Sequence, residues 1–299
     1  MRVLVLYNPS AGERRLDGAA IRALFEAEGY AVAWRDVKTH RVEAADADGV
    51  DLVVVAGGDG TVGKAVRVFA GMGIPLAIVP LGTANNTARS LGLGGDPFEI
   101  ARAFASRTAD CMERGLDVGT ATGPWGARVF LESVGVGAVA ELISVGAAAD
   151  MGFAERQRFA REAPGAFLRT APTRRWRLAV DGAPLPEALV LVEVLNMPLA
   201  GPGLPLDPGG APDNGLLDVA YLRPGDRDAL ADWLDGPRTG WPAGIELVRG
   251  RHVAFDWEGG RLRIDDDFPD PPAGGAAHVE VTLAPQPMRA LIPKPGGMP

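Results

Sequence analysis

The first hundred residues alternate between two hydrophobic periods. Arg2–Tyr7, Asp51–Ala56 and Ile74–Val79 are short, continuous apolar runs, and Ala31–Val37 adds a fourth segment of strand character. Between them, Leu16–Glu28 carries Leu16, Ala20, Leu24 and Ala27 at helical spacing and stops at Gly29, while Val62–Ala70 places Val62, Val66 and Phe69 on one face. A further helix is predicted from Asn85 to Leu91. Strands that are apolar throughout, rather than alternately, are buried on both faces, as in a parallel sheet covered by helices.

The pattern changes near residue 115. Short strands are predicted at 128–133, 176–180, 189–195, 216–222, 246–255, 262–264 and 279–283, punctuated by Gly and Pro, with a mostly helical stretch over 138–168. Short strands at this spacing indicate an antiparallel sandwich or barrel. The expected architecture is therefore an α/β domain with a parallel, Rossmann-like sheet over residues 1–115, to which a segment at about 285–299 returns. A mainly antiparallel β-sandwich with a helical insertion follows over 116–284. The tail PKPGGMP is expected to fray.

Composition narrows the functional classes. Hydrophobic residues make up 47% of the 299-residue chain, enough for sizeable cores, and the net charge of −8 argues against a nucleic-acid partner. Cys111 is the single cysteine, so neither an internal disulfide nor a thiolate zinc cluster can form. No run of 18 apolar residues occurs, and the opening strand is too short for a signal peptide. The expectation is a soluble, cytoplasmic protein, with peripheral membrane contact as its one route to a bilayer.

Three polar loops carry the candidate chemistry. Gly57-Gly58-Asp59-Gly60-Thr61 lies between a buried strand and a helix, where glycines let the backbone approach a polyphosphate and the helix presents its positive end. A Walker A reading of Gly58 to Gly63-Lys64 fails at Ala65, where a metal-binding hydroxyl would stand. Asp59 is odd beside phosphates and makes sense if it acts through Mg²⁺ or orients the attacking group. Pro80-Leu81-Gly82-Thr83-Ala84-Asn85-Asn86 repeats the strand–loop–helix arrangement, and Asn8-Pro9-Ser10-Ala11-Gly12 ends the first strand on the same side. Lysine occurs only at Lys38, Lys64 and Lys294, which makes Lys64 beside the glycine loop a candidate phosphate ligand as well as an ordinary exposed helix lysine.

NPSAG, GGDGT and LGTANN, in this order, resemble the diacylglycerol-kinase catalytic family of bacterial lipid kinases and sphingosine kinases, related in fold to NAD kinases. FLESVGVGA (130–138) resembles the start of that family's second domain, and PDNGLLDV (212–219) its late Asp-Gly-x-Leu loop. The resemblance implies an ATP site at Asn8, Thr39, Gly58, Asp59, Gly60, Thr61, Gly63, Lys64, Thr83 and Asn85. It also implies a Mg²⁺ site at Asn214, with carbonyls of Ala211 and Leu216, and with Asp213 as a substitute carboxylate. The family's Asp-Gly-Glu, whose Glu is the base, is matched by Asp265-Asp266-Asp267. Other departures are Gly63-Lys64 for the family's Asn-Glu, and Asn86 for its Asp.

On that resemblance the chain is an ATP- and Mg²⁺-dependent kinase of a lipid hydroxyl. Asp267 is the expected base, Asp265 the alternate, and Asp59 a further catalytic carboxylate. A kinase of a soluble alcohol or nucleotide, and a catalytically silent nucleotide- or lipid-binding protein, stay open as alternatives. Arg156, Arg158, Arg161, Arg169, Arg174, Arg175 and Arg177, interleaved with Phe153, Phe159 and Phe167, read either as a solvated face or as a contact for anionic headgroups at a membrane surface.

Overall fold

The computed structural model describes residues 1–12, 17–107, 111–271 and 275–294. The expected helix start at Leu16 and the tail from residue 295 lie outside them. The chain divides into two compact units, Met1–Asp117 with Gln286–Pro299, and Val118–Pro285.

The first unit alternates strand and helix: β1 (Arg2–Tyr7), α1 (Gly18–Ala27), β2 (Ala31–Asp36), β3 (Leu52–Gly57), α2 (Asp59–Phe69), β4 (Leu76–Pro80), α3 (Asn86–Ser90), α4 (Pro97–Arg107) and β5 (Cys111–Leu116). Among the described residues six strands form one sheet in the order β2-β1-β3-β4, then the C-terminal strand Met288–Pro293, then β5. The first four are parallel, and every residue of β3 and β4 is buried. Met288–Pro293 runs parallel to β4 and antiparallel to β5. Helix α1 starts where Asp17 accepts the Ala19 N–H and ends before Gly29, at φ +80°. Helix α4 was not anticipated, although Asp96 accepts the Phe98 N–H, Pro97 is its first residue, and Ile100 and Phe104 are both buried.

The second unit is antiparallel. Its strands are β6 (Gly119–Gly123), β7 (Gly126–Phe130), β8 (Ser133–Gly137), β9 (Leu178–Val180), β10 (Leu191–Leu195), β11 (Leu217–Leu222), β12 (Ile245–Gly250), β13 (His252–Trp257), β14 (Leu262–Ile264) and β15 (Ala277–Leu283); α5 (Ala138–Ala148) and α6 (Phe153–Thr170) follow β8, and α7 (Arg227–Asp235) follows β11. Of its two larger sheets, one runs Ala183–Pro184, β9, β13, β15, β6, β7, and the other β12, β11, β10, β8, β14; short two-residue strands pair Arg174–Arg175 with Ala188–Leu189 and Leu199–Ala200 with Leu204–Pro205. Their inner faces share a core that includes Phe130, Val136, Val194, Phe255, Trp257 and Val281. The outer face of the second sheet, through Leu191, Leu195 and Leu222, packs on helical residues such as Val139, Leu168, Leu230 and Leu234. The expected sandwich with a helical insertion is therefore present.

Two predicted strands are each split in two. The segment 128–133 contains the end of β7 and the start of β8, and 246–255 contains β12 and part of β13; in both cases the chain passes from one sheet to the other. Backbone N–H groups at such a corner leave the ladder and need other acceptors. A carboxylate supplies them at each. Asp181 accepts from Arg251 N (3.0 Å) and His252 N (2.9 Å), and Asp265 accepts from Leu131 N and Glu132 N at 2.8 Å each. Both aspartates occupy the first central position of a two-residue hairpin turn and are left-handed, at φ +47° and +50°. Asp is one of the few residues besides glycine that adopt that conformation readily.

A buried ionic row crosses the second sheet. Glu193, Gly135 and Arg263 are cross-strand neighbours on β10, β8 and β14. Arg263 donates to Glu193 at 2.9 Å, to Glu132 at 3.1 Å and to the Asp265 carbonyl at 2.8 Å. A Cβ on Gly135 would stand 2.0 Å from Glu193 Oε1, so the glycine leaves the space through which the two charges meet. Burial raises the Glu193 carboxyl above its usual range, opposed by the Arg263 guanidinium. Removing one partner of a buried pair strands the other. Arg263→Met is expected to destabilise the protein by about 3–5 kcal/mol in urea unfolding at pH 7. Adding Glu193→Gln should recover part of that loss, whereas additive losses would show that the pair does not interact.

Candidate functional site

The four parallel strands of the first unit end together: Tyr7 is level with Asp36 and Ala56, and Gly57 with Pro80. The loops that follow them therefore line one edge, the carboxyl edge at which open α/β sheets bind ligands. Asn8, Thr39, Gly58 and Thr83 all lie on these loops.

Glycine brings two of the loops into contact. A Cβ on Gly58 would meet the Gly82 Cα at 2.9 Å, and one on Gly82 would meet the Gly58 Cα at 2.6 Å and Asn85 Oδ1 at 2.8 Å. Backbone touches backbone, tied further by Leu81 N donating to the Gly57 carbonyl at 2.9 Å. Asn85 is left-handed, and its side chain both accepts from Gly82 N and donates to the Gly82 carbonyl, each at 2.8 Å. From the first loop, Asn8 Nδ2 donates to Thr61 Oγ1 at 3.1 Å. Helix α2 opens at Gly58, which has no side chain to cap it, so its positive end is left to other acceptors.

Asp59 has an occupation that the sequence did not reveal. Its two oxygens accept the N–H groups of Asn86 and Thr87, each at 3.0 Å. The carboxylate thus caps α3 from the first turn of α2 and links the GGDGT loop to the LGTANN loop. Gly63 is buried in α2 and Lys64 is exposed, five residues beyond Asp59, or about 7.5 Å along a helix at 1.5 Å per residue. Thr83 is exposed, and Thr39 lies in a turn whose N–H donates to the Asp36 carbonyl.

In the second unit, Asp265, Asp266 and Asp267 form the hairpin after β14, closed by reciprocal backbone bonds between Ile264 and Asp267 at 2.9 Å. The left-handed residue is Asp265, not Asp266, so the turn does not require glycine in the middle position. Burial lifts the Asp265 carboxyl to about 6, opposed by the Leu131 and Glu132 N–H groups and by Arg263. Asp266 and Asp267 are exposed. The three carboxylates are therefore differentiated: the first holds the corner at 131–133 and the last ends the turn in solvent.

The loop Ala211–Leu216 is a weak metal cage. Asn214 Oδ1 accepts the Leu216 N–H at 2.8 Å, turning the side chain back on its own loop, and Asp213 beside it is exposed. The nearby buried carboxylates, Asp207 and Asp218, belong to Arg249, which donates to Asp218 and lies 3.5 Å from Asp207. Among the described residues no group of three or more His, Cys, Asp or Glu side chains could hold a metal ion. Of the implied ligands, the Asn214 side chain is neutral and already bonded to backbone, which leaves Asp213 as the one carboxylate beside the carbonyls of Ala211 and Leu216.

The arginine run is dispersed. Arg169 pairs with Asp232 and Asp235, Arg174 with Glu141 and Arg175 with Glu187. Among the described residues no helix is long and apolar enough to cross a membrane.

Two measurements test these assignments. The Asp265 carboxyl should titrate near pH 6 by carbon-detected NMR, against about 4 for an ordinary aspartate. The folded protein binds this proton more tightly than the unfolded chain, so the group's contribution to stability should fall as pH rises from about 4 to 6. Asp265→Asn should flatten that part of the profile. Asp59→Ala should cost about 0.5–2 kcal/mol through the lost cap, and a smaller change in unfolding free energy would mean that the loops hold without it.

Residues 2–116 match the family model described as diacylglycerol kinase catalytic domain. A diacylglycerol kinase of Mycobacterium tuberculosis is 30% identical over 266 residues, covering 86% of this chain and 82% of that protein. A Pseudomonas aeruginosa protein named "Probable lipid kinase YegS-like" is 35% identical over 233 residues, 74% of this chain and 71% of its own. The fold is shared with a crystal structure of a diacylglycerol kinase from Bacillus anthracis, at TM-score 0.68 and 22% identity, over 99% of this chain and 97% of that one. With glycine loops, strand order and relatives in agreement, the chain belongs to the diacylglycerol kinase family.

Proposed function

We propose that this protein transfers the γ-phosphate of ATP, bound as its Mg²⁺ complex, to the hydroxyl of a diacylglycerol-like lipid. The observation that carries the nucleotide half is the Gly58–Gly82 contact. Two loops without side chains at their meeting point give phosphates access to backbone N–H groups at the open end of α2. The lipid half rests on the relatives, which carry diacylglycerol kinase and lipid kinase names.

In this reading Asn8 and Thr61 shape the wall of the phosphate site, Asp59 keeps the second loop in register with the first, and Thr83 and Lys64 offer polar contacts at its mouth. Asp267 takes the proton as the lipid oxygen bonds to the γ-phosphorus and the bond to the β-phosphate oxygen breaks, releasing ADP. Asp265 positions that turn, since both its oxygens already receive backbone N–H groups. Mg²⁺ carried on the nucleotide would neutralise phosphate charge; in the Ala211–Leu216 loop the Asn214 side chain is already bonded to its own backbone.

The test is ATP turnover with Mg²⁺ and mixed micelles of diacylglycerol or other lipids. Asp267→Asn should lower kcat by about 10²–10⁴ with ATP binding retained. Phosphorylation of a soluble alcohol with none of any lipid would overturn the acceptor assignment, and undiminished turnover in Asp267→Asn would overturn the base.

A further inference from the structure

The second unit contains a depression of about 460 Å³ lined by Glu141, Arg174, Gly260, Arg261 and Pro271. That volume lies within the range of small-molecule sites. It uses none of the residues placed above in phosphoryl transfer. Glu141 lies in the first turn of α5, Arg174 just after α6, and Gly260 and Arg261 between β13 and β14.

The arginines are held differently. Arg174 Nη2 donates to Glu141 Oε1 at 2.7 Å, which anchors its guanidinium, and its buried Nε–H has no acceptor among the described residues. Gly260, at φ +79°, lies against that guanidinium: a Cβ there would stand 3.3 Å from Cζ and 3.5 Å from Nε. The glycine therefore leaves room beside the fork that a side chain would fill. Arg261 is exposed and makes no ion pair or hydrogen bond with the described residues. Against the single carboxylate of Glu141, the lining carries a net positive charge on a chain whose net charge is −8.

We propose that this depression binds a phosphate group, with Arg261 as the mobile clamp and Arg174 as the fixed one. Guanidinium forks match phosphate oxygens in pairs. A phosphate offers three acceptor oxygens and up to two charges, enough to engage the Arg261 fork together with the Nη groups of Arg174 beside their bond to Glu141. The group could arrive on a soluble phosphate ester or on the headgroup of an anionic lipid. The proposal stands apart from ATP-dependent transfer and survives its failure.

The test uses the full chain with inorganic phosphate and sn-glycerol 3-phosphate by calorimetry, and with phosphatidylcholine vesicles with or without phosphatidylglycerol by sedimentation. Arg261→Glu should weaken binding about tenfold or more, the scale of a lost charge-assisted contact. Glu141→Gln should strengthen it several-fold, a change of opposite sign that no general loss of fold produces. Unfolding midpoints identify any variant that fails to fold. Arg261-dependent binding of the soluble phosphates assigns the site to a phosphate ester, and Arg261-dependent binding of the phosphatidylglycerol vesicles alone assigns it to a lipid headgroup. Binding that neither substitution alters would belong to the glycine loops of the first unit, and that result, or no binding at all, overturns the proposal.

Discussion

The second unit depends on carboxylates that replace the backbone ladder where the chain changes sheets. A sandwich whose strands cross between layers must leave N–H groups at each corner without a neighbouring strand, and a buried N–H without an acceptor costs about 1–3 kcal/mol. Asp181 answers two corner N–H groups in exposed backbone and Asp265 two in part-buried backbone, each from a turn distant in sequence. Both do so from left-handed backbone. At Asp265 the same contact fixes the hairpin carrying Asp267, so the corner and the candidate base are one piece of structure.

That dependence explains which parts of the molecule the sequence made legible. Strands β1, β3 and β4 were evident from continuous apolar runs ended by Gly, Pro or Asn, because burial on both faces writes itself directly into composition. The corners were not. The run 246–255 is apolar enough to read as one strand, and its break at Arg251 is enforced by Asp181, about seventy residues earlier. The same holds at 131–132, where the acceptor lies more than 130 residues later. Helix α4 is a different kind of omission, because Asp96-Pro97 and the Ile100/Phe104 pair were local signals open to reading.

The candidate site divides similarly. The three polar loops were visible as motifs, and strand polarity alone brings them to one edge. What those motifs did not convey is which groups are already committed. Asp59 looked anomalous among phosphate-binding glycines, yet its oxygens are taken by Asn86 and Thr87 of the neighbouring loop. Asn214 looked like a weakened metal ligand, and its oxygen is bonded within its own turn. Of the three consecutive aspartates the sequence offers Asp267 as base and Asp265 as alternate, and burial separates Asp265 from the two exposed residues that follow it. Each distinction turns on a hydrogen bond that residue type alone does not specify.

The strand Met288–Pro293 lies between β4 and β5, inside the sheet of the first unit. During synthesis it leaves the ribosome only after all of Val118–Pro285. Until then β4 and β5 present open edges to any passing strand. Among the described residues the strands of the second unit all precede that closing strand. Biosynthesis thus reverses the order of the chain: the domain begun first is finished last.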